Sequence, residues 1–256
     1  MTGAVAAESS SAARSWDITR LRGPARWVSY HLYTAIDIFS RYTPGWMIAT
    51  RESAWLAERF LAETIDKHGV APGTLTIHSD RGSSMASRSV ALLLAALGVA
   101  RSFARPRQPN DNPYSEAQFR TLKYRPDFPD RFGSLEDARA FCGRFFAWYN
   151  GSHRHSQIGF HTPADVHYGR AEAVREKRAG VLLGAYLAHP ERFVRRAPSP
   201  PPLPAPAWIN APEEAAPNQS ENSGFDPSWG QAPAAAGSAE RDRVRRGLAL
   251  AGPSPR

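Results

Sequence analysis

Hydrophobic residues along the first 150 positions change spacing several times, and each change marks an element. Residues 27–40 concentrate aromatic and β-branched side chains (Val28, Tyr30, Tyr33, Thr34, Ile36, Ile38), and residues 41–50 repeat that signature after a short turn, so two strands are expected. Residues 52–68 switch to helical spacing. Trp55, Leu56, Phe60, Leu61, Thr64 and Ile65 share one broad face, and Gly69 supplies a stop. An apolar run, Leu75-Thr76-Ile77-His78-Ser79-Asp80, reads as a strand halted by Arg81-Gly82. A helix follows over 84–97, closed by Gly98, then a short strand over 99–103. Residues 105–110 (Arg-Pro-Arg-Gln-Pro-Asn) suit only a mobile loop. Helices are expected behind Asn112-Pro113 and over 135–149. Strands first, then alternation, then helices imply an α/β class with a mixed sheet and helices on its faces.

The pattern changes after residue 190. Thirteen of the 22 prolines lie from Pro190 onward, and residues 198–206 are largely Pro-x-Pro, which favours extended polyproline and cannot build a core. Residues 213–256 are poor in large apolar side chains and are expected to be disordered, as is an Ala/Ser-rich leader over 1–14. The expected organisation is therefore a core over 15–170, a helical then Pro-rich extension over 171–212, and a tail.

Composition narrows the partners less than charge first implies. The net charge is +8 at pH 7, which favours an anionic partner. Yet all but three of the 32 basic residues (Lys67, Lys123, Lys177) are arginine, a bias that GC-rich coding would also produce. A single cysteine, Cys142, excludes a disulfide framework and a cysteine-based zinc site, and fits a reduced cytoplasmic setting. The longest apolar run, residues 90–100, is too short to span a bilayer.

Candidate chemistry lies in carboxylates delivered by separate elements. Asp80 ends a strand, Glu116 opens a helix, and an upstream acid, Asp17 or Asp37, could complete a set of hard oxygen donors for Mg²⁺. Two such ions about 3.5–4 Å apart can serve both oxygens of an in-line phosphoryl displacement. Asn112 can cap the Glu116 helix and Pro113 suits its first turn, where a negative charge is favoured. Glu116, Arg120 and Lys123 share one face of that helix, with Phe119 and Leu122 toward the core. Asp37, among apolar neighbours, suits a buried acid paired with Arg41, and spacing alone does not choose between it and Asp17. His153 and His155 have too few partners for zinc, and Trp148 and Tyr149 suit a core.

Trp16-Asp17-Ile18-Thr19, residues 33–46, His78-Ser79-Asp80-Arg81-Gly82-Ser83 and residues 110–123 together resemble integrase-type transposases of bacterial insertion sequences. The resemblance continues through Trp148-Tyr149-Asn150, His153-Arg154-His155 and residues 161–166, weakly to 190–194 and 208–210, and covers about residues 15–212. It implies a ribonuclease H-like fold and selects Asp17 over Asp37. It also implies that Asp17, Asp80 and Glu116 hold two Mg²⁺ (or Mn²⁺) ions. Arg81, Asn112, Tyr114, Arg120 and Lys123 become candidate DNA contacts, with Lys123 positioning the DNA end. Cleavage leaving a 3′-hydroxyl, then strand transfer to target DNA, would be the activity, carried out near the nucleoid by a homo-oligomer on paired element ends. Such transposases carry a helical DNA-binding region ahead of the core, and residues 1–14 do not resemble one. The alternatives are a separate DNA-binding subunit, or a truncated, non-catalytic DNA-binding or inhibitory fragment.

Overall fold

The computed structural model describes residues 5–7, 12–105, 112–203 and 207–209. In chain order these form β1 (Val5–Ala7), β2 (Ala13–Arg22), β3 (Ser29–Asp37), β4 (Gly45–Ala49), α1 (Ala54–Lys67), β5 (Thr76–Ser79), α2 (Arg88–Ala96), β6 (Ala100–Phe103), α3 (Pro113–Lys123), α4 (Leu135–Gly151), α5 (Pro163–His167), α6 (Ala171–Ala188) and β7 (Ala207–Ile209). The five-stranded sheet has the order β4-β3-β2-β5-β6. β3 runs antiparallel to both β2 and β4, whereas β5 joins parallel to β2 and β6 parallel to β5. The mixed sheet flanked by helices is the architecture the hydrophobic pattern implies.

Alternation within the strands decides which helix covers which face. Trp16, Tyr33, Ala35 and Ile77 point to one side, where Phe60, Leu61 and Ile65 of α1 and Val90 and Leu94 of α2 close a core. Leu21, Tyr30, Leu32 and Ile48 point to the other, against Phe119 and Leu122 of α3 and Phe141, Phe145 and Phe146 of α4. Each buried leucine, isoleucine, valine or phenylalanine among these contributes on the order of 1.5–3 kcal/mol relative to exposure. Side-chain caps fix four of the helix starts: Ser53 accepts from Leu56 N, Ser87 from Val90 N, Ser134 from Asp137 N and Thr162 from Asp165 N. Gly69 and Gly98 end α1 and α2 in the left-handed conformation, as their positions imply.

Two expectations differ from the structure: a disordered leader, and a Pro-rich stretch that adds nothing to a core. Val5–Ala7 pairs antiparallel with Ala207–Ile209, so the leader contains a strand, and β2 begins inside it at Ala13. Ala207 and Ile209 bury against Ala13 and Ile38. The Pro-rich stretch also contributes to a core. Pro200 is buried, and Leu203 packs on Ile158, Val166 and Ala171. A proline run without partners cannot form a core; laid over an existing surface, it completes one. The loop expected over 105–110 lies, apart from Arg105, outside the described residues, as does the tail over 213–256.

Candidate active site

Asp17 lies in the central strand β2, and its odd-numbered neighbours face α3. Ser15 donates to Asn112 Oδ1 and lies 2.9 Å from Ser115 Oγ; Asn112 Nδ2 donates to Asp17 Oδ2 at 3.3 Å; Lys123 Nζ donates to Thr19 Oγ1 at 2.6 Å. Three consecutive residues on one face of β2 (15, 17, 19) thus meet α3 along its length, a consequence of strand alternation laid against one helix face. The parallel register sets Ser15 opposite His78, so Asp17 and Asp80 each stand two residues farther along neighbouring strands. Asp80 is exposed just past β5, and its Oδ1 accepts from Gly82 N at 2.8 Å, an Asx turn that ends the strand. Glu116 is exposed in the first turn of α3.

Electrostatics join the three acids. Burial holds the half-buried Asp17 carboxyl at a pKa of about 7, against 3.8 in the open; repulsion from Asp80, Glu116 and Glu52 adds to this, and a 2.7 Å hydrogen bond from Ile18 N opposes it. Among the described residues, no three His, Cys, Asp or Glu side chains stand close enough to hold one ion together. The acids converge on one end of the sheet and repel one another there without closing into a cage. Hard carboxylate oxygens, in a setting where three neighbouring acids outnumber the nearby cation Lys123, are the donor type a divalent cation prefers.

The other residues singled out in the sequence divide sharply. Asp37 is fully buried and closes the β3–β4 turn, its Oδ1 accepting from Phe39 N (3.2 Å), Ser40 N (2.8 Å) and Ser40 Oγ (2.8 Å). It stands opposite Arg14 in the strand register, away from Asp80 and Glu116. Arg41 donates through its backbone to Asp37 O, but its guanidinium lies over the Tyr114 ring, 4.3 Å from the centroid. Asn112 does not cap α3 with its side chain. It is buried and turned back to Ser15 and Asp17, because these offer it both an acceptor and a donor. Tyr114 is half-buried and donates to Trp208 O at 2.8 Å, tying β7 to α3 rather than facing solvent. Arg81 is exposed and donates to Ala104 O, and Arg120 and Lys123 lie exposed on the Glu116 side of α3.

Glu52 belongs to this neighbourhood and carries no signal in the sequence. It precedes the Ser53 cap, accepts from Ser84 Oγ at 2.9 Å and lies 4.0 Å from His31 Nδ1. In Arg51-Glu52-Ser53 it resembles any residue at a helix start, and only the fold turns it toward Asp17. His153 and His155 stack among Trp148 and Tyr149, and burial holds both rings' pKa values down, His155 to about 4.

The chain is similar to known proteins in sequence and in fold. Two models described as "Integrase core domain" match residues 11–109 and 97–163. The transposase for insertion sequence element IS904 of Lactococcus lactis is 27% identical over 143 residues, 56% of each protein. Transposase InsF for insertion sequence IS3A of Escherichia coli is 30% identical over 148 residues, 57% of this chain and 50% of that one. The chain thus spans about half the length of the curated relatives it matches. Among solved structures, a chain of the simian T-cell lymphotropic virus intasome bound to PP2A regulatory subunit B56 gamma shares the fold. Its TM-score is 0.51 at 18% identity, over 63% of this chain and 56% of that chain. Among the described residues no helix is long and apolar enough to cross a membrane.

Proposed function

The chain belongs to the integrase core family and resembles the transposases of insertion sequences, and on that premise we propose that it is a metal-dependent polynucleotidyl transferase that cuts and joins DNA during transposition. The observation that carries the reading is Asp17, held near neutrality among Asp80, Glu116 and Glu52 with one amide, Asn112, aimed at its free oxygen. A lone surface acid would ionise freely; burial and the neighbouring acids oppose ionisation of this one, and a bound cation would offset both. In this reading Asp17, Asp80 and Glu116 hold two Mg²⁺ (Mn²⁺ as substitute). When bound there, the metal would polarise the phosphodiester and assist both the attacking and the leaving oxygen.

The remaining roles belong to the chain. Asn112 orients the Asp17 carboxylate from the α3 side while Ile18 N fixes its other oxygen, so the acid is preorganised. Lys123, anchored to Thr19 on the same strand face, presents a cation next to Asp17 where a DNA phosphate would lie. Arg120 and Arg81 extend that positive rim. Element ends and target DNA would be the substrates and a homo-oligomer the working form. The alternative of a non-catalytic fragment gains nothing from the chemistry, because none of the three acids has been replaced.

The test is a nicking and strand-transfer assay on supercoiled plasmid with a pre-cleaved element-end oligonucleotide. Mg²⁺-dependent product is expected from the natural sequence and its loss from Asp80→Asn. Product no greater than that of Asp80→Asn, across Mg²⁺ and Mn²⁺, would sink the reading.

A further inference from the structure

On the flank of α3 next to the acid site, two adjoining hollows share Ala117, His155 and Gln157. The inner one, about 240 Å³, is walled by Arg41, Tyr114, Tyr149 and His155. The outer one, about 480 Å³, is rimmed by Arg120, His153 and Arg154. Among the described residues lining them there is no carboxylate. Asp37, whose charge reaches Arg41, is engaged by the β3–β4 turn, and Asp165 pairs with Arg170 at 3.4 Å and with Arg154 of the outer rim at 4.0 Å.

Arg41 makes the inner hollow more than a basic patch. The residue is only 7% exposed, yet its Nε and Nη1 are buried without a hydrogen-bond partner, and so is Nδ1 of His155. A buried cation with two idle donors is unfavourable unless an anion completes it. Its backbone sits in the left-handed region at φ +63°, a strained setting for an arginine. The Tyr114 ring, itself locked to Trp208, holds the guanidinium plane from one side. A planar fork fixed in this way suits two oxygens of a phosphate.

We propose that this cavity binds a backbone phosphate of DNA, with Arg41 as its fork, and that the outer hollow carries the strand past Arg120 toward the Glu116 face. This rests on the reading that the chain acts on DNA, and it assigns the strand a second hold, separate from the acids. α3 rises about 1.5 Å per residue, so the ten steps from Tyr114 to Tyr124 give a track of about 15 Å.

Binding is measured by fluorescence anisotropy on a DNA duplex, in EDTA and with the full chain carrying Asp80→Asn, so that failure of cleavage cannot be mistaken for failure of this site. Arg41→Gln is expected to weaken binding at every salt concentration and to lower the slope of log affinity against log salt by about one. Because Arg41 is buried, its substitution can disturb folding. Gln157→Glu, an exposed change that sets a carboxylate at the mouth of both hollows, is expected to weaken binding in the same way without lowering the melting temperature. A parallel thermal-shift titration with inorganic phosphate identifies a site for free anions alone. Stabilisation by phosphate with unchanged DNA affinity in Gln157→Glu overturns the proposal, as does no response to either ligand.

Discussion

Asp17→Asn is expected to stabilise the protein at alkaline pH and to do so less as the pH falls. The folded carboxyl has a pKa of about 7 and the open one 3.8. The folded state therefore keeps its proton longer, and stability falls as pH rises through that interval, with the whole penalty present above about 7. The full shift corresponds to about 4 kcal/mol, of which about 2.5 kcal/mol develops between pH 5 and pH 8. Water reaching a half-buried group reduces that change to about 1–2 kcal/mol. Asparagine never ionises, but its single oxygen cannot accept from both Ile18 N and Asn112 Nδ2, which costs about 1 kcal/mol at every pH. The variant should be level with the parent or slightly weaker at pH 5, and clearly stronger at pH 8.

Urea unfolding followed by tryptophan fluorescence, in EDTA at pH 5, 6, 7 and 8, gives the difference directly, and titrations common to both proteins cancel. At pH 8, adding Mg²⁺ should stabilise the parent, by about 2.7 kcal/mol at a hundred times its dissociation constant, and leave Asp17→Asn nearly unmoved. A stability difference that stays flat with pH, or that moves against the variant as pH rises, would refute the electrostatic account of this site.

Lys123→Ala should leave the melting temperature nearly unchanged, since the lysine is exposed, and should lower the salt slope of DNA binding by about one in the anisotropy assay. Gly159→Ala should destabilise by about 1–3 kcal/mol in urea titration, because φ is +63° and an added Cβ would meet Pro202 O at 2.8 Å. Tyr114→Phe removes the bond to Trp208 O at a cost of about 1 kcal/mol, and hydrogen exchange should quicken in β1 and β7 with the five-stranded sheet unaffected. Cys142 is fully buried and its thiol is pushed up to about 12, so a disulfide reagent at pH 8 should label it only after unfolding.

What could be read from the residues follows the range of the forces that set them. Strands and helices came through because alternation and helical spacing are local: Tyr30, Leu32, Tyr33 and Ala35 divide between two faces by parity alone. The α3 stripe of Glu116, Arg120 and Lys123 was legible for the same reason. Pairings between distant segments were not. Nothing near Val5 announces Ile209, and nothing in a proline-rich run announces a surface waiting for Leu203.

The candidate site shows the same division, and Asn112 shows it best. As the residue before Pro113 it has every local mark of a helix cap, yet its side chain turns to Ser15 and Asp17, 97 and 95 positions away. A cap relieves one backbone donor that water can also satisfy. The Asp17 oxygen is half-buried among other acids, so an amide spent there lifts a larger penalty. Glu52 makes the complementary case, a residue that looks like a helix start and becomes part of an acid cluster only once α1 is docked on the sheet. Local chemistry names the groups that can do the work; long-range packing decides which of them are committed to it.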